Sequence, residues 1–60
     1  MRFSLGDELI VTETDLSFCE KGQVFIVERM DKYHYEDRDG TIIASDYEVE
    51  LLSGKQFILS

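Results

Sequence analysis

Two polar turns that contain glycine lead directly into runs of apolar and β-branched residues. The first, Gly6-Asp7, precedes the run 9–11, and the second, Lys21-Gly22, precedes the run 24–27. Such a sequence of turns and runs is typical of short β-strands. No segment sustains the i, i+3, i+4, i+7 apolar spacing of an amphipathic helix. We therefore predict an all-β protein whose single domain covers residues 1–60.

The alternation of apolar and polar residues predicts about five short antiparallel strands. They cover residues 8–14, 23–31, 33–37, 41–45 and 47–52, and a further short strand is expected over 56–60. In the last main strand, Tyr47, Val49 and Leu51 alternate with polar residues, so one face should be buried. We also expect one turn of 3₁₀ helix at Ser45-Asp46, before that strand.

Turns and loops account for the remaining segments. Asp39-Gly40 predicts a hairpin with a type I′ turn, because both central residues of that turn need a positive φ. Residues 15–22 should form a long loop from which Phe18 and Cys19 point into the core. Phe3 and Leu5 are expected to cover one end of the core from an extended lead-in, and Ile42 or Ile43 should point inward from the fourth strand. In the first strand, Leu9 and Val11 should lie on one side and Ile10 on the other.

Cysteine usage and apolar run length bear on the compartment. The chain has 60 residues and one cysteine, Cys19, so it has no internal disulfide. Small secreted domains usually carry several disulfides, which favours a reducing compartment, and we expect a cytoplasmic protein. The N-terminal residues lack the apolar core of a signal peptide, and no run is long enough to span a bilayer.

The chain is strongly acidic. Thirteen acids stand against six bases, which gives a net charge of −7, and most of the excess lies within residues 36–50. Binding to a nucleic-acid backbone requires clustered Lys and Arg, and so does electrostatic attraction to an anionic membrane. We therefore expect neither a nucleic acid nor a membrane as the partner. The charge permits a basic protein partner, although it also serves solubility alone.

Four segments follow one another in a recognisable order. They are Phe3-x-x-Gly6-Asp7-Glu8-Leu9-Ile10-Val11, Lys21-Gly22-Gln23-Val24-Phe25-Ile26-Val27, Asp39-Gly40 and Asp46-Tyr47-Glu48-Val49-Glu50-Leu51-Leu52. This pattern over residues 3–52 resembles SH3-like small barrels of the KOW or bacterial SH3 kind, which implies a barrel of short antiparallel strands. RNA-binding KOW segments carry basic loops, and SH3 domains that bind proline-rich peptides use a tryptophan. This chain is acidic and has no tryptophan, so the resemblance implies neither function.

Residues with catalytic or metal-binding chemistry are few. Cys19 and His34 form the one possible pair of a thiol nucleophile and a histidine base. The sequence offers no third residue that would orient this pair. Residues 37–40, Asp-Arg-Asp-Gly, have the composition of a calcium loop but lack the twelve-residue spacing and the terminal bidentate Glu. We expect no enzymatic activity, no cofactor and no metal.

Aromatic residues suggest one interaction surface. Tyr33 and Tyr35 should share one face of the third strand, with His34 and Glu36 on the other. Core or rim packing is the ordinary role of such tyrosines, and a contact surface is the alternative. The same surface would include Phe18 if that side chain were exposed. An open strand edge would also serve, either for another protein or for a second copy of this chain in a homodimer.

Carboxylates suggest another surface. Glu36, Asp37, Asp39, Glu48 and Glu50 are expected to lie on one face of the last three main strands. Such a face can simply discourage edge-to-edge pairing. Our leading interpretation is a non-enzymatic module that binds a protein partner through a strand edge or the aromatic surface. The alternative is an acidic mimic of nucleic acid that inhibits a basic host protein, similar to small phage-encoded inhibitors in size and charge.

Overall fold

Two small antiparallel sheets form the fold. The computed structural model describes residues 1–14 and 18–52, so the strand predicted over 56–60 lies outside the described residues. The strands are β1 (Glu8–Val11), β2 (Val24–Ile26), β3 (Arg29–Met30), β4 (His34–Glu36), β5 (Ile43–Ser45) and β6 (Val49–Leu51), and a 3₁₀ turn spans Asp46–Glu48. One sheet has the order β2-β1-β6 and the other β3-β4-β5. The all-β prediction and the predicted 3₁₀ turn are therefore confirmed.

The chain passes from one sheet to the other between β2 and β3. The Val27 N–H donates to the Asp7 carbonyl at 3.0 Å, whereas the next N–H, of Glu28, donates to the Glu36 carbonyl at 2.9 Å. The strand predicted over 23–31 is thus two strands that belong to different sheets. Among the described residues, no ladder closes the two sheets into one barrel.

The core lies between the inner faces of both sheets. Its buried residues are Leu9, Val11, Cys19, Phe25, Val27, Tyr35, Ala44 and Val49. The burial of Cys19 is confirmed, and Leu9 and Val11 share one side of β1 as predicted. Ala44 in β5 is fully buried, whereas Ile43 and the preceding Ile42 are only half-buried. Phe3 packs against the core as expected, with Met30, Ile42 and Leu51.

Two residues expected in the core are instead exposed. Phe18 is 56% exposed and Leu5 is 61% exposed. The backbone of the loop is nevertheless tied to the second sheet, because the Ile43 N–H donates to the Phe18 carbonyl at 3.3 Å. The Phe18 backbone therefore contacts the protein while its ring faces solvent.

The hairpin before β5 differs from the predicted type I′ turn. Gly40 has a φ of +71°, but no residue other than glycine has a positive φ in the described chain, so Asp39 does not. The Gly40 N–H donates to the Asp37 carbonyl at 3.2 Å, and the Asp37 carboxylate accepts the Thr41 N–H at 2.9 Å. Glycine at the last position is favoured in a type I turn, so one left-handed residue suffices here.

The segment before β6 breaks the predicted alternation. Tyr47 is 57% exposed and Glu48 is fully buried, the reverse of the expectation. Both belong to the 3₁₀ turn, whose period is three residues, so the two-residue period starts only at Val49. The N–H groups of Thr12 and Glu13 both donate to the Glu48 carbonyl. Two residues of one strand thus lie opposite a single residue of the other, as in a bulge, and the regular ladder stops there. For this reason β1 is shorter than predicted.

Gly22→Ala should destabilise the protein through backbone conformation alone. Gly22 has a φ of +90°, and a Cβ placed there would meet no atom within 4 Å. The methyl group therefore clashes with nothing outside its own neighbours, and the expected cost is about 1–2 kcal/mol for the left-handed conformation. Urea denaturation measures it. Gly22→Asn should cost less, because asparagine tolerates this region, and equal losses in the two variants would contradict the explanation.

Candidate protein-binding surface

The eight residues predicted to form an interaction surface do not lie together. Tyr33, Phe18, Asp39 and Glu50 are exposed, Glu36 and Asp37 are half-buried, and Tyr35 and Glu48 are fully buried. They are distributed over both sheets, the 3₁₀ turn and three connecting segments. The two buried side chains cannot belong to an exposed surface, and their positions have separate physical causes.

Tyr35 is a core residue with a polar end. Its ring packs at 6.0 Å from the Phe3 ring, centroid to centroid. Its hydroxyl accepts the Phe3 backbone N–H at 3.1 Å and donates to the Asp46 carboxylate. A buried tyrosine usually needs such partners for its hydroxyl. Burial first, and then the bonded carboxylate of Asp46, raise the pKa of Tyr35 above its ordinary value.

Tyr33 lies outside β4, which begins at His34, so strand alternation does not place it beside Tyr35. The Asp31 carboxylate accepts the N–H groups of both Tyr33 and His34 at 2.8 Å. These two bonds lower the pKa of Asp31. The side chain of Asp31 thus fixes a bend that directs Tyr33 into solvent.

Glu48 is buried because its carboxylate accepts a backbone hydrogen bond. Its Oε1 atom lies 2.7 Å from the Ser45 nitrogen. A glutamate that bonds back to the residue preceding a helical turn forms one half of a capping box. Buried charge is tolerated where hydrogen bonds replace water, and the described side chains leave no buried polar atom without a partner.

Arg2 connects the N-terminal segment to the 3₁₀ turn. Its backbone N–H and its Nε atom bond the two carboxylate oxygens of Asp46 at 3.0 and 3.2 Å. Its Nη2 atom donates to the Val49 carbonyl at 2.8 Å. The pKa of Asp46 is lowered, mainly by the Tyr35 hydroxyl and further by Arg2, against an opposing effect of desolvation.

Four of the five carboxylates predicted to form one acidic face have local roles. Glu36 pairs with Arg29 and Glu50 with Arg2, each at 3.4 Å. Glu36 lies on β4 and Glu50 on β6, in different sheets. With Glu48 buried, the five carboxylates do not form the continuous face that the sequence suggested.

A groove that the sequence reasoning missed lies along the free edge of β2. It has a volume of about 500 Å³ and is lined by Glu8, Val24, Phe25, Ile26, Glu28, Asp37, Arg38 and Ile42. Val24 and Ile26 are each 46% exposed, while Phe25 between them is buried. Four consecutive apolar residues begin at Val24, and only alternate ones can face the core. That run was the signal for an apolar outer face.

The backbone of β2 presents to this groove polar groups that no strand of the described residues pairs. Opposite Phe25 lies Leu9 of β1, and the flanking bonds are Val11 N–H to the Gln23 carbonyl and Val27 N–H to the Asp7 carbonyl. In an antiparallel ladder such bonded pairs alternate. The N–H and C=O groups of Val24 and Ile26 therefore point away from β1. No strand of the described chain pairs with β2 on that side.

The hairpin that forms the other wall is held by Arg29. Its Nη1 and Nη2 atoms donate to the carbonyls of Arg38 and Asp37 at 3.2 and 3.3 Å. Asp37 in turn accepts the N–H groups of Thr41 and Ile42. The wall is therefore cross-linked by several side-chain to backbone bonds.

Cys19 and His34, the thiol and the base singled out in the sequence, have separate partners in the described chain. Cys19 is buried, and its Sγ atom lies 3.4 Å from the Thr14 hydroxyl. The nearest charged partner of His34 is Asp31, at 3.7 Å. Among the described residues, no three His, Cys, Asp or Glu side chains are grouped to hold a metal. No helix there is long and apolar enough to cross a bilayer.

Comparison of the chain with protein-family models, with curated proteins and with solved structures found no match. The function therefore has to be argued from the surfaces of the molecule itself. Of these, the groove along β2 combines exposed apolar side chains with unpaired backbone groups.

Glu48→Ala should destabilise the fold far more than Glu50→Ala. Removing Glu48 leaves the Ser45 N–H without its carboxylate acceptor in a buried site, at a cost of about 1–3 kcal/mol. Glu50 is exposed and pairs with Arg2 in a solvent-accessible bridge, so its loss should cost less than about 1 kcal/mol. Urea denaturation of both variants tests this. A loss in Glu48→Ala as small as that in Glu50→Ala would contradict a stabilising role for the buried carboxylate.

The effect of the Tyr35 hydroxyl on the pKa of Asp46 should be measurable by titrating Asp46. Because the folded-state pKa of Asp46 is lowered, its contribution to stability is present above the unfolded pKa of about 4. That contribution is lost as the pH falls through the folded pKa. In Tyr35→Phe, the carboxyl carbon of Asp46 should titrate at higher pH in NMR, and stability should fall less steeply with acid. An unchanged Asp46 titration would contradict this role.

Proposed function

We propose that this protein is a non-enzymatic module that binds another protein through the free edge of β2. The observation that carries the proposal is the coincidence of unpaired backbone groups with the half-exposed side chains of Val24 and Ile26. An unpaired strand edge readily accepts another strand.

The composition of the edge supports the proposal. Natural proteins protect edge strands with charged side chains, proline or bulges. β2 consists of Val24, Phe25 and Ile26 and has none of these. Clustered apolar side chains on the outside of a small soluble protein often mark a contact surface.

We also propose that the two sheets belong to an SH3-like barrel. β1 lies between β2 and β6, β2 continues into β3 in the second sheet, and the 3₁₀ turn precedes the last strand. This order supports the resemblance seen in the sequence. A fold of this kind serves many functions, so the binding proposal depends on the groove and not on the fold.

The alternative function, a nucleic-acid mimic, receives less support. It requires a continuous row of carboxylates, whereas Glu48 is buried and Glu36 and Glu50 pair with arginines. The cytoplasmic location stays a prediction.

Lysine substitutions on β2 should abolish binding of a partner. The double variant Val24→Lys, Ile26→Lys places two charges on the outer face without touching the core. Its matched control is Leu5→Lys, Tyr33→Lys, which changes two other exposed apolar residues by the same charge. Proteins captured from a native lysate are identified by mass spectrometry. The wild type and the control should retain a common partner that the β2 variant loses.

Two outcomes of this experiment would contradict the proposal. A partner retained equally by all three proteins would exclude the β2 edge. A partner lost only in the control variant would place the contact at Leu5 or Tyr33. Circular dichroism of each variant checks that the fold is intact.

A further inference from the structure

We infer that the β2 groove binds an extended segment of apolar residues flanked by Lys or Arg, which pairs with β2 as an added strand. This inference rests on the proposed function and states the chemistry of its partner. It follows from three properties of the groove: its backbone groups, its side chains and its charge.

The backbone groups set the conformation of the ligand. Val24 and Ile26 are two residues apart, so their outward N–H and C=O groups repeat at the spacing of a strand. An extended chain matches that repeat, with every second residue bonding to β2. A helix satisfies its own backbone groups and would leave those of β2 unpaired. Strand addition of this kind is a common mode of peptide recognition.

The side chains set the residue types. Ile42, half-buried, lies in the groove together with the buried Phe25. Val24 and Ile26 project from the outer face of β2, where Val24 lies opposite Ile10. Successive side chains of an added strand point to opposite faces. Those on one face would contact Ile42, and those on the other would contact Val24 and Ile26. Branched aliphatic residues suit both contacts.

The acidic charge of the groove favours basic residues on either side of the ligand's apolar segment. It also argues against a second copy of this chain as the ligand. Glu8, Glu28 and Asp37 line the groove against one base, Arg38. The carboxylate of Asp37 is engaged by backbone N–H groups, which leaves Glu8 and Glu28 on the rim. A second copy would bring the same carboxylates and a net charge of −7. A Lys- or Arg-bearing segment is complementary instead.

A titration with synthetic peptides tests the inference directly. The probe is a short blocked peptide in which consecutive valines are flanked by lysines, added to the full ¹⁵N-labelled chain. Its matched controls are a peptide with glutamate in place of lysine and a peptide N-methylated at alternate residues on the edge that would face β2. The lysine peptide should shift the amide resonances of Val24 and Ile26, and N-methylation should weaken binding at least about tenfold because it removes hydrogen-bond donors.

Charge variants of the protein test the rim. Glu28→Lys should weaken the lysine peptide about two- to fivefold at low ionic strength and less in high salt. Glu13→Lys makes the same change of charge at an exposed residue outside the groove lining and should have a smaller effect. The glutamate peptide should bind more weakly than the lysine peptide to the wild type.

Failure of this inference can be told apart from failure of the proposed function. If the N-methylated peptide binds as tightly as the parent, or if the shifts map away from β2, strand addition is wrong. If no peptide binds while Val24→Lys, Ile26→Lys still abolishes capture of a partner, the binding module stands and the stated ligand chemistry is wrong. Concentration-dependent dimerisation that the same variant abolishes would make a second copy the occupant and overturn the inference.

Discussion

The backbone bonds of Val27 and Glu28 determine the layout of the molecule. These adjacent residues donate their N–H groups to different sheets, so one continuous segment supplies a strand to each. Phe25 and Val27 face the core as a consequence, and Val24 and Ile26 face outward. Where the chain departs to pair as β3 with β4, the edge of β2 is left without a neighbour in the described chain. The exposed edge is therefore a direct product of how the two sheets are joined.

Hydrogen-bonded polar groups add to the stability of an apolar core that is small because the chain is short. A domain of about 60 residues buries only about 60% of the surface of its unfolded chain, so each satisfied polar group matters. The Tyr35 hydroxyl bonds Asp46, and the Glu48 carboxylate bonds the Ser45 N–H. Both contacts hold the 3₁₀ turn against the sheets. Part of the acidic composition thus contributes to structure, and the net charge overstates how much carboxylate is available to a partner.

The sequence predicted those features that depend on local pattern. The alternation at Leu9 and Val11, the burial of Cys19 and the 3₁₀ turn near Asp46 were all predicted. Errors arose where a side chain bonded to the backbone changed the local period, as Asp31 does before β4 and Glu48 does before β6. The propensities of single residues do not include such bonds, although the Ser45-x-x-Glu48 spacing of a capping box was a signal for the second.

The candidate site was harder to predict than the fold. The run from Val24 to Val27 indicated a strand that is apolar on both faces, and its outer face is half-exposed. Whether a strand has one neighbour or two depends on pairing between distant segments, which periodicity does not reveal. For the same reason Glu48 was placed on a surface and Tyr35 was left between core and surface, because alternation gives a face but not what covers it.

The bonds from Arg29 to the carbonyls of Asp37 and Arg38 bear on how the groove would receive a ligand. These bonds fix the wall formed by the hairpin before β5 to the second sheet in the unbound protein. The β1–β2 ladder fixes the opposite wall. A site whose walls are already ordered loses little conformational entropy on association. Most of the ordering cost would then fall on the incoming segment, so its stiffness as a free chain would influence affinity as much as its side chains do.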